Sequence, residues 1–225
     1  MKLLALDTST EACSAALLVA DHIHERFVVT PQGHSDLILS MLEALLAEAD
    51  ISLNAVDALA FGQGPGSFTG VRIGVGVAQG IAFAHDLPVL PVSSLAALAQ
   101  SCGAKKVLAA IDARMGEVYW GAYERGADGL VKLAGVEQVC APEVVPLVAG
   151  ERWFGAGTGW GAYKDKLCER LGGIVAGWEA ECYPRASATA QLGAAAFARN
   201  EAVMAEQALP VYLRNNVAKK PVKPV

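Results

Sequence analysis

Two apolar segments that each end in an aspartate constrain the fold of this chain more than any other feature of its sequence. The segment ending at Asp7 is followed by a turn and a second apolar run at residues 12–18. The segment ending at Asp112, 105 residues further on, is followed by a turn and a similar run at residues 117–123. A strand–turn–strand pattern repeated at this distance indicates two copies of one structural unit. We therefore predict an α/β fold built from duplicated β-β-β-α-β-α units.

The first unit reveals its elements through apolar periodicity and turn residues. Residues 34–49 carry apolar side chains at spacings that alternate between one and three, which is the period of an amphipathic helix. Ser35 and Ser93 are the predicted N-caps of the first and third helices. The predicted strands lie at residues 3–7, 13–19, 23–29, 56–61 and 87–91, and the predicted helices at residues 34–49, 71–84 and 93–101.

The second unit begins after Gly103 and is less regular than the first. It starts with a strand at residues 107–112 and later contains an alanine-rich helix at residues 187–200. From Arg214 onward the chain carries four basic residues and no acidic one. We predict three parts along the chain: an N-terminal lobe at 1–103, a reduced C-terminal lobe at 104–209 and an extended basic tail at 210–225.

Composition and charge exclude several classes of protein. With 53% apolar and 18% charged residues, the 225-residue chain can fold around a sizeable core. Its net charge of −5 gives no general attraction for nucleic acid. The longest uncharged run, residues 87–104, holds two prolines, so no membrane span is predicted. Five cysteines without a CxxC pair indicate a reduced, cytoplasmic protein whose cysteines fill its core.

A glycine-rich stretch at residues 62–70 lies between a predicted strand and a predicted helix. Such a loop can hold an anion through backbone N–H groups at the start of the helix. It is not a P-loop, because no Lys-Ser or Lys-Thr pair follows at the required offset. It also lacks the third glycine of a dinucleotide site, which is replaced by Ser67 or Thr69. The alternative is that the glycines let the helix pack closely on another backbone, and their spacing favours packing.

Two predicted helices are more apolar than their position on a sheet requires. The helix at residues 71–84 carries one charge, Arg72, and the helix at 34–49 adds Leu39 and Ala44 beyond its apolar stripe. A helix that covers a sheet needs only one apolar face. Side by side, the two helices would expose an apolar surface larger than monomers usually tolerate. Either the second lobe covers this surface or a partner does, and we favour a partner.

Residues with catalytic chemistry form no familiar local motif. The four histidines make no HxxxH or HExxH pair, and no serine lies in a GxSxG motif, so no metal site and no catalytic residue are predicted. Asp7 and Asp112 are open to two interpretations. They either face each other across a cleft between the lobes, as paired carboxylates of a nucleotide or metal site, or they only form turns at strand ends.

As a set, several segments resemble the bacterial TsaB family, also called YeaZ. The segments are LALDTST at 4–10, GPGSFTGVRIG at 64–74, DARMGEVY at 112–119 and FGAG at 154–157. The resemblance continues in order to PVYLR at 210–214 and so covers nearly the whole chain. The string at 64–74 is the longest and most specific of these segments.

The resemblance implies a fold and a pathway. The fold is the two-lobed actin-like ATPase fold, also called ASKHA or ribonuclease-H-like. The family members are accessory subunits in the formation of threonylcarbamoyladenosine, the modified base beside the anticodon of tRNAs that read codons starting with A. A paralogous subunit, TsaD, transfers the threonylcarbamoyl group, and the small ATPase TsaE joins the complex. The resemblance thus implies TsaD and TsaE as partners, with tRNA contact only through the complex. When the chain is alone, we expect the same apolar helix surface to pair with itself in a twofold homodimer.

Pairing in this family uses the first two helices of the N-terminal lobe, which correspond to the two over-apolar helices. The resemblance therefore assigns the partner contacts to one set of residues on each helix. The candidates are Leu37, Ile38, Met41, Leu42 and Leu45 on the first helix, and Arg72, Gly74, Val75, Val77, Ala78 and Ile81 on the second.

The chain also departs from its catalytic relatives. The catalytic paralogue holds its metal with two histidines four residues apart, where this chain has His34 and Ile38. Actin-like ATPases place glycine two residues after each phosphate-motif aspartate, where this chain has Ser9 and Arg114. We therefore expect no catalysis by the chain alone and no cofactor of its own, with ATP and Mg²⁺ bound only weakly or at the junction with a partner.

Two other functions stay open at this point. The main alternative is an actin-fold enzyme that binds ATP with Asp7 and Asp112, and a metallopeptidase is less favoured because the second histidine is missing. The residues that could contact a nucleotide are Asp7, Thr8, Ser9, Asp112, Gly155, Gly157 and Gly159.

Overall fold

The computed structural model describes residues 1–214 and contains two β-sheets. The first sheet consists of β1 (Lys2–Asp7), β2 (Ala12–Val19), β3 (His22–Val29), β4 (Ala58–Gly64) and β5 (Val89–Ser93), in the order β3-β2-β1-β4-β5. Neighbours in β1–β3 are antiparallel, whereas β4 runs parallel to β1 and β5 parallel to β4. The parallel strands β1, β4 and β5 therefore end at the same edge of the sheet.

The second sheet repeats this arrangement. It consists of β6 (Lys106–Arg114), β7 (Glu117–Arg125), β8 (Val131–Leu133), β9 (Gln138–Cys140), β10 (Trp153–Ala156) and β11 (Val175–Glu179). The order is β11-β10-β6-β7-β8, with β9 also paired to β7. The antiparallel pair β6–β7 corresponds to β1–β2, and the parallel strands β10 and β11 correspond to β4 and β5. The predicted duplicated α/β fold is confirmed.

Helices cover both faces of the first sheet, which explains why β1 is a continuous apolar run. The helices are α1 (His34–Glu48), α2 (Phe68–His85), α3 (Ser94–Cys102), α4 (Thr158–Leu171) and α5 (Ala186–Ala198). On one face, Leu4 and Leu6 join a buried cluster with residues of α1 and α2. On the other face, Leu3 and Ala5 join a cluster with α5. Alternate residues of one strand thus serve two separate cores.

The helix starts follow local backbone chemistry. The Ser93 hydroxyl accepts hydrogen bonds from the backbone N–H groups of Leu95 (3.2 Å) and Ala96 (3.3 Å), so the predicted cap of α3 is confirmed. The prediction that Ser35 caps α1 is wrong. The chain enters α1 through Gly33, which has a left-handed φ of 89°, and Ser35 already lies inside the first turn. No side-chain cap precedes α1.

Within residues 1–214, five strands and helices have no counterpart among the predicted ones, namely β8, β9, β10, β11 and α4. Strands β8 and β9 are only three residues long, and β11 is largely exposed. Helix α4 is interrupted at Tyr163, which has a non-helical φ of −135°, and carries many charged residues. Only a few of its side chains are buried, among them Trp160 and Leu167. These elements lack the apolar periodicity from which strands and helices can be recognised.

The chain after β11 returns to the first sheet. Helix α5 packs on β1, β2 and β4, and Val203 pairs with Val89 as an isolated bridge at the edge of that sheet. The division at residues 103 and 209 stays a prediction, and it did not include this return. In the predicted basic tail, Lys219, Lys220 and Lys223 lie outside the described residues. No helix within residues 1–214 is long and apolar enough to cross a membrane.

The contact between α5 and the first sheet yields a stability prediction. A Cβ atom on Gly193 of α5 would lie 2.6 Å from the Ala60 Cβ of β4. We expect Gly193→Ala to lower the unfolding free energy by about 1–3 kcal/mol, because the helix must move off the sheet. The matched control is Gly76→Ala in α2, where no atom lies within 4 Å of the new Cβ. It should stabilise the chain by up to about 1 kcal/mol, through helix propensity. Urea unfolding of both variants checks this, and an unchanged Gly193→Ala variant would contradict the close contact.

Candidate functional site

The turn after β1 is buried and internally hydrogen-bonded. The Asp7 Oδ1 atom accepts hydrogen bonds from the Ser9 backbone N–H (2.8 Å) and the Ser9 hydroxyl (2.7 Å). The Thr8 hydroxyl donates to the Gly70 carbonyl oxygen (2.7 Å). Asp7, Thr8 and Ser9 are each exposed by at most 1%. The three candidate nucleotide residues of this turn are thus brought together, but they face the interior of the chain.

The glycine-rich loop lies directly on this turn. The Ser67 backbone N–H donates to the Ser9 carbonyl oxygen (2.7 Å). A Cβ atom on Gly66 would lie 2.2 Å from that same oxygen, and one on Gly70 would lie 2.1 Å from the Thr8 carbonyl oxygen. Contacts this short leave room for a hydrogen atom only. Of the two interpretations of residues 62–70, the geometry favours close packing over anion binding.

The second oxygen of Asp7 is enclosed in the same contact. Asp7 Oδ2 is buried and has no hydrogen-bond partner among the described residues. A Cβ atom on Gly62 would lie 2.0 Å from it. Burial raises the pKa of Asp7, while the hydrogen bonds from Ser9 and the charge of His34 act in the opposite direction. A carboxylate in this position offers no exposed oxygen to a metal ion.

Asp112, the equivalent residue of the second sheet, is held by Arg114. Its Oδ1 atom accepts from the Arg114 backbone N–H (2.9 Å) and from the Tyr163 hydroxyl (3.2 Å), and its Oδ2 atom accepts from Arg114 Nη1 (2.9 Å). Arg114 Nη2 also donates to Glu11 Oε1 (3.2 Å). Arg114 thereby links the turn after β6 to the turn after β1. A phosphate-binding site would need the space between these two turns to be open.

The turn that carries Arg114 has an uncommon backbone. Arg114, Met115 and Gly116 have φ angles of 62°, 57° and 81°, so three successive residues lie in the left-handed region. Arg214 Nη2 donates to the Arg114 carbonyl oxygen (3.4 Å) and pairs with Glu117. These contacts fit the interpretation of both aspartates as residues that shape turns at strand ends.

The glycines after β10 also serve packing. A Cβ atom on Gly155 would lie 2.3 Å from the Trp160 ring, and one on Gly157 would lie 2.5 Å from the Ala110 carbonyl oxygen. A Cβ atom on Gly159 would lie 2.9 Å from the Ala110 Cβ. The buried Trp160 ring donates from Nε1 to the Leu108 carbonyl oxygen (2.8 Å), which seats the start of α4 on β6. As arranged here, the seven candidate residues do not fit a nucleotide with Mg²⁺.

Helix α1, which the resemblance aligns with a metal-binding histidine pair, has only His34 at these positions. His34 Nε2 donates to the Thr10 carbonyl oxygen (2.9 Å), and Ile38 is fully buried in the core. Within residues 1–214, no group of three or more His, Cys, Asp or Glu side chains could hold a metal ion.

Six of the predicted partner contacts are core residues of the chain itself. They lie on the faces of α1 and α2 that point to the sheet, and a Cβ atom on Gly74 would meet the Thr8 hydroxyl oxygen at 2.7 Å. Side chains buried in this way offer little surface to a partner, and their assignment as partner contacts stays a prediction. The six are Ile38, Leu42, Leu45, Gly74, Val75 and Ala78.

The other predicted contacts lie at the surface, where their role stays a prediction. Leu37, Met41, Val77 and Ile81 are partly exposed and Arg72 is exposed. The sequence-based set missed the most exposed apolar side chains of α2, which are Phe83 (81% exposed) and Phe68 (58% exposed). Residues 68, 72, 76, 80 and 83 are spaced by three or four and so lie on one face of the helix. This spacing was a signal that could have identified Phe68 and Phe83.

A groove runs along this exposed side of α2. It has a volume of about 490 Å³ and lies between α2 and the 3-10 turn Ala205–Gln207. Gln79 Nε2 donates to the Ala208 carbonyl oxygen (2.9 Å) and so fixes the far wall. We define the α2 surface as the groove and the exposed side chains around it, which comprise Phe68, Arg72, Gly76, Gly80, Phe83, Met204 and Leu209.

At one end of the α2 surface, the Arg72 guanidinium lies over the Phe68 ring, and the Phe68 ring also contacts that of Tyr212. The Arg72 guanidinium carbon lies 3.6 Å from the centre of the Phe68 ring and 5.7 Å from that of Tyr212. Arg72 Nε also donates to the Tyr212 hydroxyl (2.8 Å). This contact holds an arginine and two aromatic rings together at the surface. Arginine and aromatic residues are the types that often contribute most to the binding energy of protein interfaces.

The sequence and the structure of this chain are both similar to those of known proteins. A family model described as TsaD, tRNA N6-adenosine threonylcarbamoyltransferase, matches residues 28–222. The tRNA threonylcarbamoyladenosine biosynthesis protein TsaB of Escherichia coli (strain K12) is 44% identical over 98% of this chain and 97% of its own. TsaB of Haemophilus influenzae is 42% identical over 98% of this chain and 96% of its own. The solved structure of YeaZ from Pseudomonas aeruginosa has a TM-score of 0.88 and 52% identity, over 94% of this chain and 99% of that one.

The burial of Asp7 predicts a pH-dependent effect of Asp7→Asn. Because the folded state raises the pKa of Asp7, it binds a proton there more tightly than the unfolded state does. This stabilising contribution is complete below the unfolded pKa of about 3.9 and is lost as pH rises through the folded pKa.

Asparagine stays neutral, so the unfolding free energy of the variant relative to wild type should increase above about pH 4. The slope cannot exceed about 1.4 kcal/mol per pH unit for one proton, and the difference should level off above the folded pKa. Urea unfolding between pH 4 and pH 8 measures this difference. A difference that does not change with pH would contradict a buried carboxylate at this position.

Proposed function

The chain belongs to the TsaB (YeaZ) family, and we propose that it is a non-catalytic accessory subunit that binds and activates the transferase TsaD. In this proposal, TsaD transfers the threonylcarbamoyl group to the adenosine next to the anticodon of tRNAs that read codons starting with A. The chain has the actin-like (ASKHA) fold, and its relatives are named for threonylcarbamoyladenosine biosynthesis. The single observation that carries the proposal is the exposed, glycine-lined α2 surface.

The α2 surface has the chemistry of a contact with a related chain. Phe83 and Phe68 are large, exposed apolar side chains, and Gly76 and Gly80 let another helix approach the backbone between them. The TsaD family model matches most of this chain, so TsaD carries corresponding elements. Two related chains that share corresponding helices can pair about a pseudo-twofold axis. By the same argument, the chain alone would pair with a second copy of itself.

The turns after β1 and β6 support an accessory role over catalysis. Asp7 is buried under the glycine-rich loop, and the oxygens of Asp112 accept hydrogen bonds from Arg114 and Tyr163. We therefore propose that the chain has no cofactor of its own and that any ATP and Mg²⁺ lie at the junction with TsaD. The alternative function, an enzyme that binds ATP with both aspartates, would require both turns to rearrange.

The remaining partners follow from this assignment. We propose that TsaE, a small ATPase, joins the complex of this chain with TsaD. We propose tRNA contact only through the complex, because the net charge of −5 opposes direct binding of a polyanion. A cytoplasmic location follows from the proposed role in tRNA modification.

Reconstitution of the transfer reaction tests the proposed function. Threonylcarbamoyl transfer to unmodified tRNA would be measured with all other components, with and without this chain. We expect product only when the chain is present, and no turnover by the chain with ATP alone. Equal product formation without the chain would refute the accessory role.

A substitution on the α2 surface tests the interface itself. We expect Phe83→Asp to weaken TsaD binding at least tenfold, because a charge would be buried at the centre of an apolar contact. Its thermal stability should stay near that of wild type, since Phe83 is 81% exposed.

The matched control is Val136→Asp, which replaces an apolar residue that is 65% exposed in a loop of the second sheet. This variant should bind TsaD as wild type does in analytical ultracentrifugation. Wild-type affinity of Phe83→Asp, or equal losses in both variants, would show that the α2 surface is not the contact.

A further inference from the structure

Arg72 lies exposed on the α2 surface without an ion-pair partner, although most arginines of the chain have a partner group. Five arginines pair with a carboxylate, and two others, Arg125 and Arg170, donate to backbone carbonyl oxygens. Within residues 1–214, the guanidinium groups of Arg72 and Arg152 contact neither kind of oxygen. The five that pair with a carboxylate are Arg26, Arg114, Arg185, Arg199 and Arg214.

The Arg72 guanidinium is nevertheless held in one place. Its central carbon lies 3.6 Å from the centre of the Phe68 ring, and its Nε atom donates to the Tyr212 hydroxyl (2.8 Å). The Nη1 and Nη2 atoms have no acceptor within residues 1–214. A guanidinium fixed in this way loses less conformational entropy on binding than a free side chain does. Arg72 thus presents its two terminal nitrogens in a preset orientation.

Tyr212 is itself fixed on both sides by the segment that carries it. The Val211 backbone N–H donates to the Gln63 carbonyl oxygen near the end of β4 (2.8 Å). Two residues after Tyr212, Arg214 pairs with Glu117 at the start of β7. The segment is therefore anchored to both sheets, and the hydroxyl that holds the guanidinium lies between the two anchors.

The guanidinium lies on the path of a partner helix in the groove. Arg72 is one turn before Gly76 on the same face of α2, and a Cβ atom on Gly76 or Gly80 would meet nothing within 4 Å. A helix that follows the groove between these glycines and the turn at 205–207 would cover Arg72 at one end and Phe83 at the other. Covering a guanidinium without an opposite charge is unfavourable. The partner must therefore supply an anionic group at this end.

The charge pattern favours a carboxylate over a phosphate as that group. Helix α2 contains one Lys or Arg residue, Arg72, and the nearby Arg214 is already paired with Glu117. A nucleic acid is bound by several cations acting together, and the net charge of −5 opposes it. A single guanidinium fork matches the two oxygens of one carboxylate.

On the premise that TsaD binds the α2 surface, we propose that Arg72 receives a carboxylate of TsaD and that Tyr212 is the positioning residue for this contact. In the complex, Nη1 and Nη2 donate to the two carboxylate oxygens while Nε stays on the Tyr212 hydroxyl. Phe68 excludes water from one face of the guanidinium. The contact adds a requirement for an acidic residue to a surface that is otherwise apolar.

Carbodiimide cross-linking of the complex tests for the carboxylate directly. In Arg72→Lys, an amine replaces the guanidinium. The carbodiimide condenses this amine with a contacting carboxylate to an amide, and takes up the water that is lost to become a urea. We expect mass spectrometry to show a peptide that joins position 72 to an Asp or Glu of TsaD. Arg152→Lys is the matched control, because Arg152 is also exposed, and it should give no link from position 152. A complex that forms without a link from position 72 would overturn the proposal.

A double-mutant cycle separates the roles of the two side chains. Arg72→Gln should weaken TsaD binding by about tenfold or more and reduce its dependence on salt concentration. Tyr212→Phe keeps the ring and removes the hydroxyl, so it should weaken binding about threefold in the wild-type background. Combined with Arg72→Gln, it should have no further effect. Equal losses in both backgrounds would refute a positioning role for Tyr212.

The outcomes separate this contact from the proposed function. If the wild-type chain binds TsaD and Arg72→Gln binds equally well, the carboxylate contact is refuted and the accessory role stands. If the wild-type chain does not bind TsaD, both are refuted. Binding of unmodified tRNA by the chain alone, lost in Arg72→Gln, would identify a phosphate ligand and overturn the proposal. Arg152→Gln should behave as wild type in each assay. All variants should melt near the wild-type temperature, since the substituted side chains are exposed.

Discussion

The close contact between the glycine-rich loop and the turn after β1 determines much of the structure around it. Gly62, Gly66 and Gly70 approach Asp7, Ser9 and Thr8 so closely that any side chain would collide. This contact encloses a carboxylate with one unpartnered oxygen, and it fixes the start of α2 above the edge of the first sheet. The inner face of α2 then packs into the core beside α1, while its other face points outward. The location of the α2 surface is thus a consequence of the glycine loop.

The same contact fills the place where a fold of this kind has its ligand site. An actin-like architecture places its ligand site at the carboxyl ends of the parallel strands. In this chain, those strand ends hold a buried aspartate in one lobe and an aspartate paired with Arg114 in the other. Arg114 also reaches Glu11, so a protein cation lies between the two turns. Proteins can keep a fold while the function of its site changes. In this chain the strand ends are occupied by packing contacts and ion pairs, and the neighbouring helix α2 has one exposed face.

Sequence reasoning succeeded where one local pattern had one structural solution. The strands of the first sheet and α1–α3 show clear apolar runs or stripes, and the two aspartate-ended strands indicated the duplication. It failed for α2, whose residues are apolar on both faces, because hydrophobicity alone does not say which face meets the sheet. The predicted partner set therefore included Gly74, which packs on Thr8, and left out Phe83, which is exposed. The helix at α5 was predicted, but its packing on the first sheet could not be, because that contact joins segments far apart in the chain.

The glycines of α2 show how the two faces differ physically. Gly70 and Gly74 are required by the fold, because a Cβ atom at either position would collide with Thr8. Gly76 and Gly80 have no atom of the chain within 4 Å of a Cβ position, so nothing inside the chain requires them. Each glycine costs a helix about 1 kcal/mol relative to alanine. Within the isolated chain this cost has no compensation, but at a helix–helix contact the missing side chains allow close backbone approach. In the proposed contact, the outer glycines would let a partner helix lie in the groove beside Phe83.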